Sequence, residues 1–344
     1  MKIVCDDKIP YILPALQTLA DEVVALSGKG ISNADVADAD ILIVRTRTRC
    51  DHRLLKHSKV RLVVTATIGF DHIDTRWLTN HGIEWHNCPG CNATSVGQYV
   101  RNCLLALQQE RPFSLRDATI GIVGVGHVGT AVLEALHEAG VQHILLNDPP
   151  REEAGDVAPY GHWHTLEQLQ DEADVITLHT PLTKKGAHAT FHLCDETFFN
   201  GLHRQPILIN AARGGVVDET ALIAALERSL VREAIVDTWE REPVIRRGLL
   251  YKAFIGTPHI AGYSADGKAN ATRMTLEHVC RFLGKPMNFE IHPPALPSDT
   301  VPATDSDERA LQLYDPRNDS RQLKMRPETF ELLRGNYPLR REFG

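Results

Sequence analysis

The chain of 344 residues lacks any apolar run approaching the ~20 residues that a helical membrane span requires, so no membrane partner is expected. It also lacks an excess of positive charge. Lys and Arg number 37 against 44 Asp and Glu, a net charge of −7, which argues against general nucleic-acid binding. A disulfide framework is missing as well: the seven cysteines are odd in number and scattered, the pattern of reduced thiols. The N-terminus enters an apolar run at Lys2 with no room for a leader. No signal peptide is therefore expected, and the anticipated location is cytoplasmic.

What is present is organised by glycine. A β-branched run from Thr119 leads into Gly124-x-Gly126-x-x-Gly129, and a helical pattern follows at once. A strand, a tight turn and a helix N-terminus form a pyrophosphate cradle. The first glycine permits the turn, the second admits the phosphates, and the third lets helix and strand pack closely. His127 and Val128 lie inside this loop. The next apolar run, 143–148, ends in Asp148, placed where a carboxylate accepts both ribose hydroxyls and repels a 2′-phosphate. NAD is therefore expected over NADP, with nearby Arg151 the one feature tempering that choice.

Roughly a third of the chain precedes this motif and shows its own alternation of strands and helices. Runs at 2–5, 22–26, 41–45, 62–67 and 83–86 read as buried parallel strands, and 11–20, 53–57 and 75–80 as helices or helical turns. After Asp148, strands are expected at 174–180, 207–212, 233–237 and 254–257, with a helix at 218–228 capped by Asp218. Longer helices at 95–110 and 265–283 would carry the chain into and out of the second unit, so that the first contains both termini. The expected fold is α/β, two doubly wound parallel-sheet domains of Rossmann or flavodoxin type plus a small C-terminal module. The boundaries are 1–97 for the first part of a substrate domain, 98–263 for the NAD domain, 264–290 for the return, and 291–344 for linker and tail. A Pro-, Ser-, Thr- and Asp-rich stretch at 292–307 reads as the linker.

Strand ends in the second unit carry the polar groups that hydride chemistry needs. Arg213 follows one strand beside two glycines, Glu242 follows another, and His259 a third. Oxidation of a 2-hydroxy acid requires a cation for the carboxylate, a base for the hydroxyl proton and an acid partner for the base. Arg213, His259 and Glu242 supply one of each. Taken singly, each has a plainer reading: one histidine among 17, a turn acid before Pro243, a structural arginine.

The order Gly-x-Gly-x-x-Gly, Asn-Ala-Ala-Arg-Gly-Gly, Asp-x-Trp-Glu-x-Glu-Pro, Pro-His-Ile-Ala-Gly resembles the D-isomer-specific 2-hydroxyacid dehydrogenases over almost the whole chain. That resemblance implies that Arg213 binds the substrate carboxylate, His259 is the acid/base and Glu242 pairs with it. It further implies that Thr180, Ala212, Asp237 and Gly262 lie along NAD, Asp237 near the nicotinamide amide. Segments around Asp6-Asp7-Lys8, Thr65-Ala-Thr67, Pro89-Gly-Cys-Asn92 and His259–Lys268, with the tail at 314–319 and 336–342, resemble one branch of the family. Its members act on a phosphorylated 2-hydroxy acid and form homodimers through an extra C-terminal module. Thr46, Thr67 and Tyr263 fall where that branch contacts its substrate, with Thr46 standing where serine is commoner.

A phosphorylated substrate needs further cations. Arg45 or Arg47, with the Thr46 hydroxyl, is the expected phosphate site; alternation would put Arg45, Arg47 and Arg49 on one side unless a turn intervenes. A solvated basic strand end is the competing reading, and Arg340 and Arg341 from a second copy's tail are an alternative source. Cys88-Pro-Gly-Cys91 has redox spacing and His86 lies close by, but a zinc site wants four ligands, and no metal is expected here. Two further functions stay open: a dehydrogenase of the same family acting on 3-phosphoglycerate or hydroxypyruvate, and an NAD(H)-sensing protein without turnover.

Overall fold

In the computed structural model, which describes residues 1–295 and 306–342, the chain divides into two units. One holds Met1–Asn92 and Ser264–Ala295, the other Ala93–Tyr263 and the described part of Leu296–Gly344. Most of the linker expected at 292–307 lies outside the described residues.

In the first unit, five short apolar runs become β1 (Lys2–Asp6), β2 (Glu22–Leu26), β3 (Ile41–Val44), β4 (Leu62–Thr65) and β5 (Glu84–His86). They form one parallel sheet ordered β2-β1-β3-β4-β5. The period of two divides its side chains. Ile3, Cys5, Ile41, Ile43, Leu62 and Val64 pack with Leu16, Leu276 and Val279. Val4, Leu42, Val44 and Val63 pack on the other face with Val36, Leu54 and Leu78.

In the second unit, β6 (Thr119–Val123), β7 (His143–Asn147), β8 (Val175–Leu178), β9 (Ile207–Asn210), β10 (Glu233–Val236) and β11 (Ile255–Gly256) form a second parallel sheet. Its order is β11-β10-β9-β8-β6-β7. The chain leaves β6 toward one side for β7 and starts the other side with β8. The carboxyl ends of β6 and β8 are therefore the topological switch point, where open α/β sheets bind ligands. The helix Ala93–Glu110 buries Val96, Val100, Leu104 and Leu107 against one face.

Two local differences from the sequence reading have physical causes. β3 stops at Val44, and the Thr48 amide closes a turn onto the Arg45 carbonyl at 3.3 Å, so the three arginines do not alternate along a strand. Short helices such as Asn33–Val36, Pro149–Glu153, Leu166–Glu172 and Glu196–Asn200 were not anticipated, because they span too few turns to display a 3.6-residue period.

The return helix Ala265–Phe282 belongs to the first unit, but the tail does not follow it there. Ala310, Leu311 and Tyr314 enter the apolar cluster on one side of the second sheet, and Leu323 and Phe330 the cluster on the other. Burial of these side chains explains why the tail settles on the second unit.

Candidate active site

The glycine loop does three separate jobs. Gly124 has φ +85°, a left-handed conformation, and a Cβ there would meet the Thr180 amide nitrogen at 2.9 Å. At Gly129 a Cβ would collide with the Gly124 carbonyl oxygen, so this glycine lets helix His127–Glu138 sit down on the turn. At Gly126 an added Cβ meets nothing within 4 Å. The first glycine shapes the turn, the last permits packing, and the middle one faces open space.

The amides of His127, Val128 and Gly129 head the helix, where no carbonyl of the preceding turn can receive them, and they form an anion-binding end. Asp148 follows β7; its Oδ2 accepts the Val125 amide at 2.8 Å, which fixes the carboxylate beside the loop. Arg151 is committed elsewhere, with Nη1 donating to the Val125 carbonyl at 2.7 Å and Nε to Asp156 at 2.8 Å. Beyond β8, the Thr180 hydroxyl is buried and meets no hydrogen-bond partner among the described residues. Such an orphan next to an open glycine turn fits a bound polar ligand. The donor set thus suits a dinucleotide.

Glu242 and His259 meet directly. Glu242 Oε2 accepts from His259 Nδ1 at 2.7 Å, while Oε1 accepts the Trp239 amide at 2.9 Å. Burial alone would raise the Glu242 carboxyl. The His259 hydrogen bond and charge, the Trp239 amide and Arg334 outweigh it and hold the group below the usual carboxylate range. An ionised Glu242 can only accept, so the His259 ring donates from Nδ1, and whenever the ring is neutral its lone pair lies on Nε2.

The backbone at His259 is held away from ordinary geometry, with φ +58°. Asp237 holds it there: Oδ1 accepts the Ile260 amide at 2.7 Å and the Thr257 hydroxyl at 2.7 Å, and Oδ2 accepts the Ala261 amide at 3.0 Å. Behind Thr257, the buried Tyr99 hydroxyl lies 2.8 Å from the threonine oxygen, and Trp239 Nε1 donates to the Thr257 carbonyl at 2.9 Å. Asp237 is only 1% exposed, so it braces this loop whatever else it contacts.

Arg213 follows β9 and donates from Nη1 to the Ala212 carbonyl at 2.9 Å. Asn210, the last residue of β9, organises the bend by accepting the Ala212 amide at 3.2 Å and donating to the Arg213 carbonyl at 3.2 Å. Gly214 is required because a Cβ would collide with the Trp239 carbonyl. The strand end bearing Arg213 therefore packs on the segment that supplies Glu242.

Sequence reasoning missed the tail's part in this unit. Arg340 is buried, and its guanidinium donates to the carbonyls of Ile260 (3.0 Å), Ala261 (2.6 Å), Tyr263 (2.9 Å) and Ser95 (3.1 Å) and to Gln98 Oε1 (2.9 Å). It also lies 4.0 Å from the Tyr314 ring centroid. Arg340 is thus engaged within its own unit, beside Gly262, and does not serve a second copy's phosphate site. Arg334 Nη1 lies 3.5 Å from Glu242 Oε2. The sequence offers Arg340 only as a cation for a second copy and does not mark Arg334, since each takes up these contacts only once the tail has folded back.

In the first unit, Arg45 Nη2 pairs with the fully buried Asp6 at 3.2 Å, and Arg45 Nε has no partner among the described residues. Thr46 and Arg47 lie in the turn after β3. Arg47 lines an open cavity of about 810 Å³ with Lys29, Arg49, His52 and Arg53. Thr67 donates to the Gly69 carbonyl at 2.9 Å, so at 2.7 Å it accepts from Thr65, which in turn receives the His72 Nε2 proton at 3.0 Å. Burial pushes His72 down to about 4, which keeps it neutral for that role. Thr67 therefore offers a ligand a lone pair and no proton. Burial pushes the Cys88 thiol up to about 11 and Cys91 up to about 12, unsuited to thiolate chemistry.

A family model for the D-isomer specific 2-hydroxyacid dehydrogenase, NAD binding domain, matches residues 94–261. The chain is 50% identical over 343 residues to an erythronate-4-phosphate dehydrogenase of Bacteroides thetaiotaomicron, covering 99% of this chain and 97% of that one. A protein of the same name from Edwardsiella ictaluri is 43% identical, with 100% and 93% covered. Among solved structures, NAD-bound 3-phosphoglycerate dehydrogenase of Entamoeba histolytica superposes with a TM-score of 0.67 at 25% identity, covering 85% of this chain and 98% of that one. The glycine turn, the Glu242–His259 pair and full-length relatives at this identity lead to one conclusion: the chain belongs to the D-isomer specific 2-hydroxyacid dehydrogenases.

Proposed function

We propose that the protein oxidises 4-phospho-D-erythronate to (R)-3-hydroxy-2-oxo-4-phosphobutanoate with NAD, a step of pyridoxal 5′-phosphate (vitamin B6) biosynthesis, in the cytoplasm and as a homodimer joined through its tail. The observation that carries the chemistry is the 2.7 Å hydrogen bond from His259 Nδ1 to Glu242, which leaves Nε2 as a base. The full-length similarity to erythronate-4-phosphate dehydrogenases supports the substrate.

Gly124, Gly126, His127, Val128 and Gly129 would hold the pyrophosphate, Asp148 the adenosine ribose, and Thr180, Ala212, Asp237 and Gly262 the nicotinamide half. When bound, NAD supplies the hydride acceptor. Arg213 holds the substrate carboxylate with the two-pronged contact that a guanidinium offers. His259 Nε2 takes the proton of the C2 hydroxyl as that carbon is oxidised, and the ionised Glu242 balances the imidazolium that results. The first unit contributes recognition. Arg45, Thr46 and Arg47 hold the phosphate, and Thr67, with only a lone pair to offer, accepts from a substrate hydroxyl. Tyr263 supplies a further polar contact.

Steady-state NADH formation with 4-phospho-D-erythronate, 3-phosphoglycerate, D-glycerate and D-lactate tests this reading. Turnover concentrated on the phosphorylated four-carbon acid supports it. Equal or better use of the others, or NAD binding without turnover on any, overturns it.

A further inference from the structure

The Glu242 carboxylate has a second cationic neighbour that the chemistry above leaves unused. Arg334, on the tail helix Phe330–Gly335, approaches Oε2 at 3.5 Å, the same oxygen that receives His259 Nδ1. It is mostly shielded from solvent, with a side-chain exposure of 13%. Its Nε meets no hydrogen-bond partner among the described residues. A shielded guanidinium with an idle donor is a poor stability device, because its desolvation is only partly recovered. What it does face is the carboxylate of the acid/base pair and the Tyr263 side chain.

His259 lies across the hydrogen bond from Glu242 and Arg334 comes from the tail, with Tyr263 and Asp237 next to them. Glu240 turns away to His192. Arg334 comes from outside the segments 237–242 and 257–263, and it bears on the oxygen that orients the imidazole.

We propose that Arg334 is a positioning residue of the acid/base pair, a guanidinium delivered by the C-terminal tail that fixes the ionised Glu242 carboxylate against His259. The NAD-binding unit then depends on its tail for a working base. Removal of the cation makes Glu242 easier to protonate, and a protonated Glu242 no longer balances the imidazolium, so activity is lost on the acid side at a higher pH than before. The inference rests on the acid/base reading of His259 and Glu242.

The test uses the full-length protein with Arg334→Met, Arg334→Gln and Arg334→Lys. Melting temperature and NAD affinity establish folding; if Arg334→Met does not fold, Arg334→Gln carries the comparison. The expected result for the neutral variant is a kcat about tenfold lower with KM for the acid within about twofold. The acidic limb of its kcat/KM profile moves up by about one pH unit, and Arg334→Lys restores most of both. Independently of turnover, the Glu242 carboxyl carbon, followed by NMR in the free protein, titrates at higher pH in the neutral variant. A folded neutral variant whose Glu242 titration is unmoved overturns the proposal, as does a Lys variant no better than Met. Wild-type protein that turns over none of the acids sinks the functional reading alone, and the Glu242 titration then decides this one.

Discussion

Asp237, at the end of one strand, holds the amide of Ile260, just past the end of another, at 2.7 Å. Through that bond and its partner to the Ala261 amide at 3.0 Å, a buried carboxylate sets the backbone on which His259 is carried. Asp237→Asn replaces an acceptor oxygen by a donor amide, which must face either the Ala261 amide or the Ile260 amide and Thr257 hydroxyl. One unsatisfied buried donor costs about 1–3 kcal/mol. The expected outcome is a loss of that size in urea unfolding, with kcat reduced more than NAD affinity.

The glycine loop separates two kinds of failure. Gly126→Ala adds a methyl group that touches nothing in the protein, so folding stays at the wild-type level while NAD affinity falls roughly tenfold or more, equivalent to about 1.4 kcal/mol of binding. Gly129→Ala drives a methyl into the Gly124 carbonyl, and there the melting temperature itself falls. Calorimetric titration with NAD beside thermal melts of both variants checks the contrast.

His179 follows β8 with its ring half-buried and Nδ1 shut off from solvent, and burial pushes it down to about 3. Its unfolded counterpart takes a proton near 6.5. Between those values the unfolded chain binds the extra proton, so stability rises with pH and is lost as pH falls below about 6.5, at up to about 1.4 kcal/mol per pH unit from this group. Unfolding free energies at pH 7.5, 6 and 5 are expected to show a shallower acid decline in His179→Gln than in wild type, whatever the variant's absolute stability.

Much of this site is legible in the sequence because its parts are local. The turn from β6 into its helix, the carboxylate after β7 and the polar strand ends at 213, 242 and 259 each announce themselves within a few residues. Their convergence was inferred from the chemistry they would perform together. The basic run at 45–49 could not be resolved by alternation, because strand and turn differ there by one hydrogen bond, from the Thr48 amide to the Arg45 carbonyl. The roles of Arg334, Arg340 and Tyr99 are invisible for another reason. Arg340 reaches carbonyls about 80 positions away in the chain, and nothing about its own neighbours reveals that the tail's Leu323 and Phe330 bury themselves in the second unit.

The measurement that bears most directly on the account is the fate of the hydrogen on C2. With 4-phospho-D-erythronate deuterated at that carbon, the account predicts reduced nicotinamide carrying the label in wild type, a primary isotope effect on the hydride step in single turnover, and almost no transfer in His259→Ala despite near-normal NAD binding. Label released to water, or transfer in His259→Ala at the wild-type rate, would contradict it.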